Sequence, residues 1–198
     1  MGKARDVVVL VGSLRKESVT RKIAMAMKGI APPSLSLDIV EIRDLQMYDE
    51  DLETDSPPKA WAAFRDRMKR CDAILFATPE YNRSVPGCLK NAVDVGSRPS
   101  GQNVFDGKPG AVVSVTPYKL GAFGANHHLR QALVYVNVLT MAPPEASVSL
   151  ARDLVDAKFS VVQADSRTFF GAVLVSFAKW IETTGWKRAA WEWREAGA

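Results

Sequence analysis

The chain has 198 residues, 47% of them hydrophobic, enough for one domain with a sizeable core. Its net charge of +4 comes without a Lys/Arg-rich run, so it suits an anionic ligand rather than nucleic acid. Cys71 and Cys88 lie outside CxxC and metal spacings, no run approaches a membrane span, and MGKARDVVVL does not read as a signal peptide, so a cytoplasmic protein without a bound metal is expected.

Val7 to Val11 is a continuous, β-branched apolar run, the pattern of a strand buried on both faces of a parallel sheet. Gly12 ends it, and Ser13 to Glu17 is a short polar loop carrying Arg15 and Lys16. Ser18 reads as an N-cap. Apolar residues then recur at helical spacing at Val19, Ile23, Ala26, Met27 and Ile30. A tight loop feeding a helix aims free backbone N–H groups and a positive dipole end at one point. Ser13, Ser18 and Thr20 add hydroxyls there, and Arg15 and Arg21 add charge, which suits a terminal phosphate.

Ala31-Pro32-Pro33 stops this helix, and Leu35 to Ile42 alternates as a second strand. Arg43 to Asp55 is acidic and irregular, the composition of a surface loop. Ser56-Pro57 starts a helix whose buried face is Trp61, Phe64, Met68 and Cys71. Asp72 to Thr78 is a third strand, followed by the polar loop Pro79 to Arg83. Pro86 opens a helix with Leu89, Ala92 and Val93 inward. Gly110 to Val115 is a fourth strand, Thr116 to Gly124 its loop, and Leu129, Ala132, Leu133 and Val136 mark the next helix. Val138 to Val148 holds a fifth strand interrupted by Pro143-Pro144, and Phe169, Val173, Phe177 and Trp180 face the core from a last helix.

Strands alternating with helices imply an α/β fold with a doubly wound parallel sheet. In the order 2-1-3-4-5 the three polar loops follow neighbouring strands and converge at their carboxyl ends, where such sheets bind ligands. The first loop lacks GxGxxG and GxxxxGK[ST], so neither a dinucleotide fingerprint nor a P-loop is present. A mononucleotide with one phosphate fits, its planar ring walled by Tyr81 and Tyr118.

GSLRKESVTRK (Gly12 to Lys22), TPEYNRSVPGCLKNAVD (Thr78 to Asp94) and HLRQAL (His128 to Leu133) resemble the NADPH-dependent FMN reductase family, which includes bacterial quinone and chromate reductases. The resemblance covers roughly the first 150 residues. It implies a flavodoxin-like three-layer sandwich with a five-stranded parallel sheet over residues 1–185. By position it assigns Ser13, Arg15, Ser18 and Thr20 to the FMN phosphate. Pro79, Glu80, Tyr81 and Asn82 line the isoalloxazine, and Ser114, Thr116, Pro117 and Tyr118 close the other side. It implies NADPH or NADH as donor and quinones, flavins, azo dyes or metal oxyanions such as chromate as acceptors, in ping-pong order. It also implies dimers, often paired into tetramers, with FMN near the subunit boundary.

The chain departs from the family pattern at Thr20, where Asn is usual, and at Val95, where Trp is usual. Tyr118-Lys119-Leu120-Gly121-Ala122 replaces a glycine-richer run and puts a bulky residue beside the ring. Glu80 reads as a loop-shaping acceptor, since the cofactor carries hydride chemistry and no catalytic side chain is needed. Arg83, Arg98 and Tyr118 are candidates to meet the substrate. His127 and His128 do not share a helix face, which argues against a metal pair. Trp186, Trp191 and Trp193 mark residues 186–198 as an aromatic tail for docking or an interface. Two other readings stay open: a flavodoxin-type electron carrier, and a binding protein of this fold that has lost its flavin.

Overall fold

The apolar runs form the strands they predict. The computed structural model describes residues 3–184; the tail with its three tryptophans lies outside them. β1 (Arg5–Val11), β2 (Leu35–Val40), β3 (Ala73–Thr78) and β4 (Pro109–Val115) pair in parallel. A last strand is split into β5 (Leu139–Thr140) and β6 (Ala146–Val148), both parallel to β4. The sheet order is β2-β1-β3-β4-β5, with β6 continuing the edge beside β4. The split falls where Pro143 and Pro144 remove two backbone donors.

The helices are α1 (Val19–Gly29), α2 (Lys59–Arg70), α3 (Gly87–Gly96), α4 (Phe123–Tyr135) and α5 (Ala164–Thr183). Alternation along each strand sends side chains to two cores. Val7, Val9, Leu75 and Val113 pack with Ile23 and Met27 of α1 and Phe170 and Phe177 of α5. Val8, Leu10, Phe76 and Val112 pack with Trp61 and Phe64 of α2, Leu89 of α3 and Leu129 of α4. The result is a three-layer sandwich, as the spacing implies. In α5 the most buried aromatics are Phe170 and Phe177, while Phe169 and Trp180 are only partly covered. Trp180 instead donates its indole N–H to the Leu139 carbonyl at 2.7 Å, closing the edge at β5.

One local expectation changes. α2 begins at Lys59, with Pro58 at the N-cap, not at Ser56-Pro57. Pro58 follows Pro57, and a residue before proline is driven out of the helical region. Residues 43–55 form the expected surface loop but are tied down on their inner side. Leu45, Tyr48 and Leu52 pack against the second core. Asn91 of α3 accepts from Tyr48 N–H at 2.7 Å and donates to the carbonyls of Leu45 at 3.2 Å and Gln46 at 3.1 Å. Trp61 donates to Gln46 as well, at 3.0 Å.

Candidate functional site

Three loops meet above the carboxyl ends of β1, β3 and β4 and enclose a cleft of about 850 Å³, within the range of ligand pockets. The loop after β1 supplies one wall. Ser18 caps α1 by accepting from Arg21 N–H at 3.1 Å, which leaves its own O–H free to donate toward the cleft. Thr20 is buried yet its hydroxyl has no protein partner among the described residues, and Ser13 approaches only the Tyr81 phenol, at 3.5 Å. Three cleft-facing hydroxyls thus surround the positive end of α1, with Arg15 beside them. These donors fit a terminal phosphate.

The loop after β3 supplies the next wall. Asn82 and Arg83 both take positive φ, 51° and 63°, making a tight turn closed by paired backbone bonds between Tyr81 and Ser84. Glu80 turns away from solvent and accepts from Ala125 N–H at 3.0 Å. α4 needs this bond. Its N-cap is Ala122, which has no side-chain acceptor and sits in the left-handed region. Glu80 therefore caps α4 from another loop, and its negative charge meets the positive helix end. Gly124 allows the approach, since a Cβ there would meet Arg83 O at 2.8 Å and Glu80 Oε2 at 2.9 Å. Ser84 Oγ and His128 Nδ1, 2.7 Å apart, make a second tie between the same loop and α4.

The loop after β4 closes the far side with Thr116, Pro117 and Tyr118. Leu150 donates to Tyr118 O and Ala151 to Thr116 O, both at 3.0 Å, so this loop is braced on the chain after β6. Tyr118 stands at the rim, 72% exposed.

The cleft collects Ser13, Arg15, Ser18 and Thr20 from the first loop, and Pro79, Glu80, Tyr81, Asn82 and Arg83 from the second. Ser114 is not among its walls. It is fully buried and donates to Gly121 O at 2.7 Å while accepting from Asn126 at 3.1 Å. Its place on β4 turns it under the loop, which it anchors rather than lines. Arg98 follows the end of α3, which runs back along the sheet from the cleft, so it lies toward the amino ends of the strands and is exposed. Arg152, Glu17 and Lys22 join the cleft without having been singled out by sequence. Lys22 and Glu17 are ion-paired at 2.6 Å, and the Lys22 ammonium holds the Glu17 carboxyl below the usual carboxylate range. Arg152 sits in the short 3-10 turn Ala151–Asp153 and carries no motif, so only the fold brings it there.

A parallel 2-1-3-4-5 sheet with three loops converging on one cleft beside a helix N-terminus defines a flavodoxin-like protein. The family model for NADPH-dependent FMN reductase matches residues 5–153. A quinone reductase from Pseudomonas putida is 52% identical over 92% of this chain and 97% of its own length. A 2-hydroxy-1,4-benzoquinone reductase from Burkholderia sp. is 38% identical over 90% and 97%. The solved structure of the flavoenzyme NAD(P)H:(acceptor) oxidoreductase FerB from Paracoccus denitrificans is 37% identical, with a TM-score of 0.87 over 91% of this chain and 99% of its own. The chain belongs to the NADPH-dependent FMN reductase family.

Proposed function

We propose that this protein is an FMN-dependent NAD(P)H oxidoreductase whose acceptors are quinones. The observation that carries this reading is the ring of donors at the α1 end: Ser13, Ser18 and Thr20 buried in the floor, Arg15 above them. Bound FMN supplies the two-electron chemistry that links nicotinamide to acceptor. The protein's part is placement. Ser13, Ser18, Thr20 and Arg15 hold the phosphate. Pro79, Tyr81, Asn82, Thr116 and Pro117 wall the ring, and Glu80 fixes the two loops at one spacing by capping α4. Quinone relatives at 52% and 38% identity support the acceptor class. Anionic acceptors such as chromate would meet the positive charge of Arg83 and Arg152 at the same opening.

The test is colour and its loss. Purified protein is yellow, releases FMN and not FAD on extraction, bleaches under NADPH without oxygen, and recovers colour with benzoquinone. Yellow protein that no nicotinamide bleaches would be an electron carrier, and colourless protein that takes up no FMN would overturn the reading.

Tyr118 is expected to select acceptors. A phenol at the rim narrows the opening over the ring, which favours flat quinones over free flavin or azo dyes. Tyr118→Gly should raise kcat/KM for free FMN or azo dyes more than for a small benzoquinone, with cofactor affinity little changed. Equal changes for both classes would mean that Tyr118 gates nothing.

We further propose a cytoplasmic dimer that pairs into a tetramer. Cys71 and Cys88 are free thiols suited to a reducing compartment. α4 presents Phe123 (57% exposed), Val134 (69%) and Tyr135 (85%) on its outer side, with Phe123 against His127 at 4.2 Å between ring centroids. Exposed apolar side chains at both ends of this helix suit a partner subunit. Light scattering is expected to give a multiple of 21.7 kDa at micromolar concentration, and the monomer mass would refute the assembly.

A further inference from the structure

A second hollow lies on the other flank of the loop after β1, between that loop and the end of β2. Its volume is about 220 Å³, below the usual range of whole-ligand pockets, so it takes one end of a larger molecule. Arg15, Lys16, Arg21 and Arg43 line it, opposed by a single carboxylate, Glu41. Arg21 is already paired with that carboxylate, through Nη1 at 3.1 Å and a second contact through Nη2. Arg43 is fixed by donating to the Leu14 carbonyl, which neutralises nothing. Arg15 and Lys16 have no hydrogen-bonded or ion-paired protein partner among the described residues. With Arg15 given to the FMN phosphate, the hollow keeps two positive charges without an ion pair, Lys16 and Arg43, with the Ser13 hydroxyl at its edge.

We infer that this hollow binds the 2′-phosphate of NADPH and makes the enzyme prefer NADPH to NADH, an inference that rests on the function proposed above. The FMN phosphate belongs on the opposite flank, where the α1 end and the Ser18 and Thr20 hydroxyls are. The hollow has no helix end and offers long cationic side chains instead, which suits an exposed phosphomonoester of about −1.5 to −2 charge. The two spaces share Ser13 and Arg15 in their linings, so they adjoin across the loop after β1. The walls after β3 and β4 lie about two strand spacings away, roughly 10 Å. A dinucleotide with its nicotinamide in the cleft can span that distance and seat its second phosphate here.

The experiment compares two nucleotides that differ by one phosphate. FMN-loaded protein is titrated calorimetrically with adenosine 2′,5′-bisphosphate and with adenosine 5′-monophosphate. The wild type should bind the bisphosphate at least about tenfold more tightly, the lower bound for one charge-assisted contact. Lys16→Ala should reduce that preference by about tenfold or more while FMN content stays unchanged, and Arg43→Gln should reduce it by a similar factor. In turnover, KM for NADPH should rise in the Lys16 variant while KM for NADH stays fixed. Equal binding of the two nucleotides by wild type, or a preference untouched in both variants, overturns the inference even if both donors bleach the protein. Displacement of the bisphosphate by an equal concentration of inorganic phosphate also overturns it, since the hollow would then read any anion. If neither donor bleaches the protein but the preference and its loss are seen, the 2′-phosphate site stands and the oxidoreductase reading fails.

Discussion

Arg15→Ala is expected to weaken FMN binding by about 10- to 150-fold. One charge-assisted contact to phosphate contributes about 1.5–3 kcal/mol, at 1.4 kcal/mol per tenfold. Arg15 is exposed in the free chain and lines both the cleft and the hollow beside it. Having no ion-paired protein partner among the described residues, it gives up no salt bridge to reach a phosphate. The floor hydroxyls of Ser13, Ser18 and Thr20 remain in the variant, so binding is weakened and not abolished. Arg15→Lys should recover part of the loss, because it keeps charge but not the planar fork. Titration of apoprotein with FMN measures the effect. An unchanged Kd would remove Arg15 from the phosphate site.

Arg65→Ala is expected to cost about 3–5 kcal/mol of stability, the range for breaking one side of a buried ion pair. The side chains of Arg65 and Glu53 are 7% and 12% exposed. Arg65 donates to Glu53 Oε2 at 3.2 Å and Oε1, donates to the Val95 carbonyl at 2.8 Å, and lies over the Trp61 ring at 5.4 Å. Alanine leaves a carboxylate and a carbonyl buried without their donor. At roughly 2–4 °C per kcal/mol for a domain of this size, Tm should fall by about 6–20 °C. Glu53→Leu with Arg65→Leu should regain much of this, because two apolar groups need no partner. Thermal unfolding of the single and double variants decides it, and a single-variant loss under about 1 kcal/mol would mean that the pair is solvated.

The strands were legible because burial on both faces demands unbroken apolar runs, as in Val7 to Val11 and Ala73 to Thr78. Helix faces followed from spacing, and the loop positions followed from the strand ends. The phosphate loop could be read because its chemistry is local: an N-cap, hydroxyls and a cation within eight residues of one another, Ser13 to Thr20. Tertiary structure alone decided which residues meet across the chain. Ser114 looked like a wall of the cleft, yet its position in β4 points it beneath the loop toward Asn126. Glu80 looked like a shaper of its own loop, and it caps a helix that starts 43 residues later at Phe123. Residues 43–55 read as a surface loop from their polar composition and are one, but only the fold shows that Asn91 and Arg65 tie its inner side down from other helices. Arg43 and Arg152 carry no motif, and only the ends of β2 and β6 place them beside the site. Periodicity and capping act over a few residues, so sequence encodes them directly. Hydrogen bonds between distant loops depend on where the sheet register sets each strand end, which no single stretch of the chain contains.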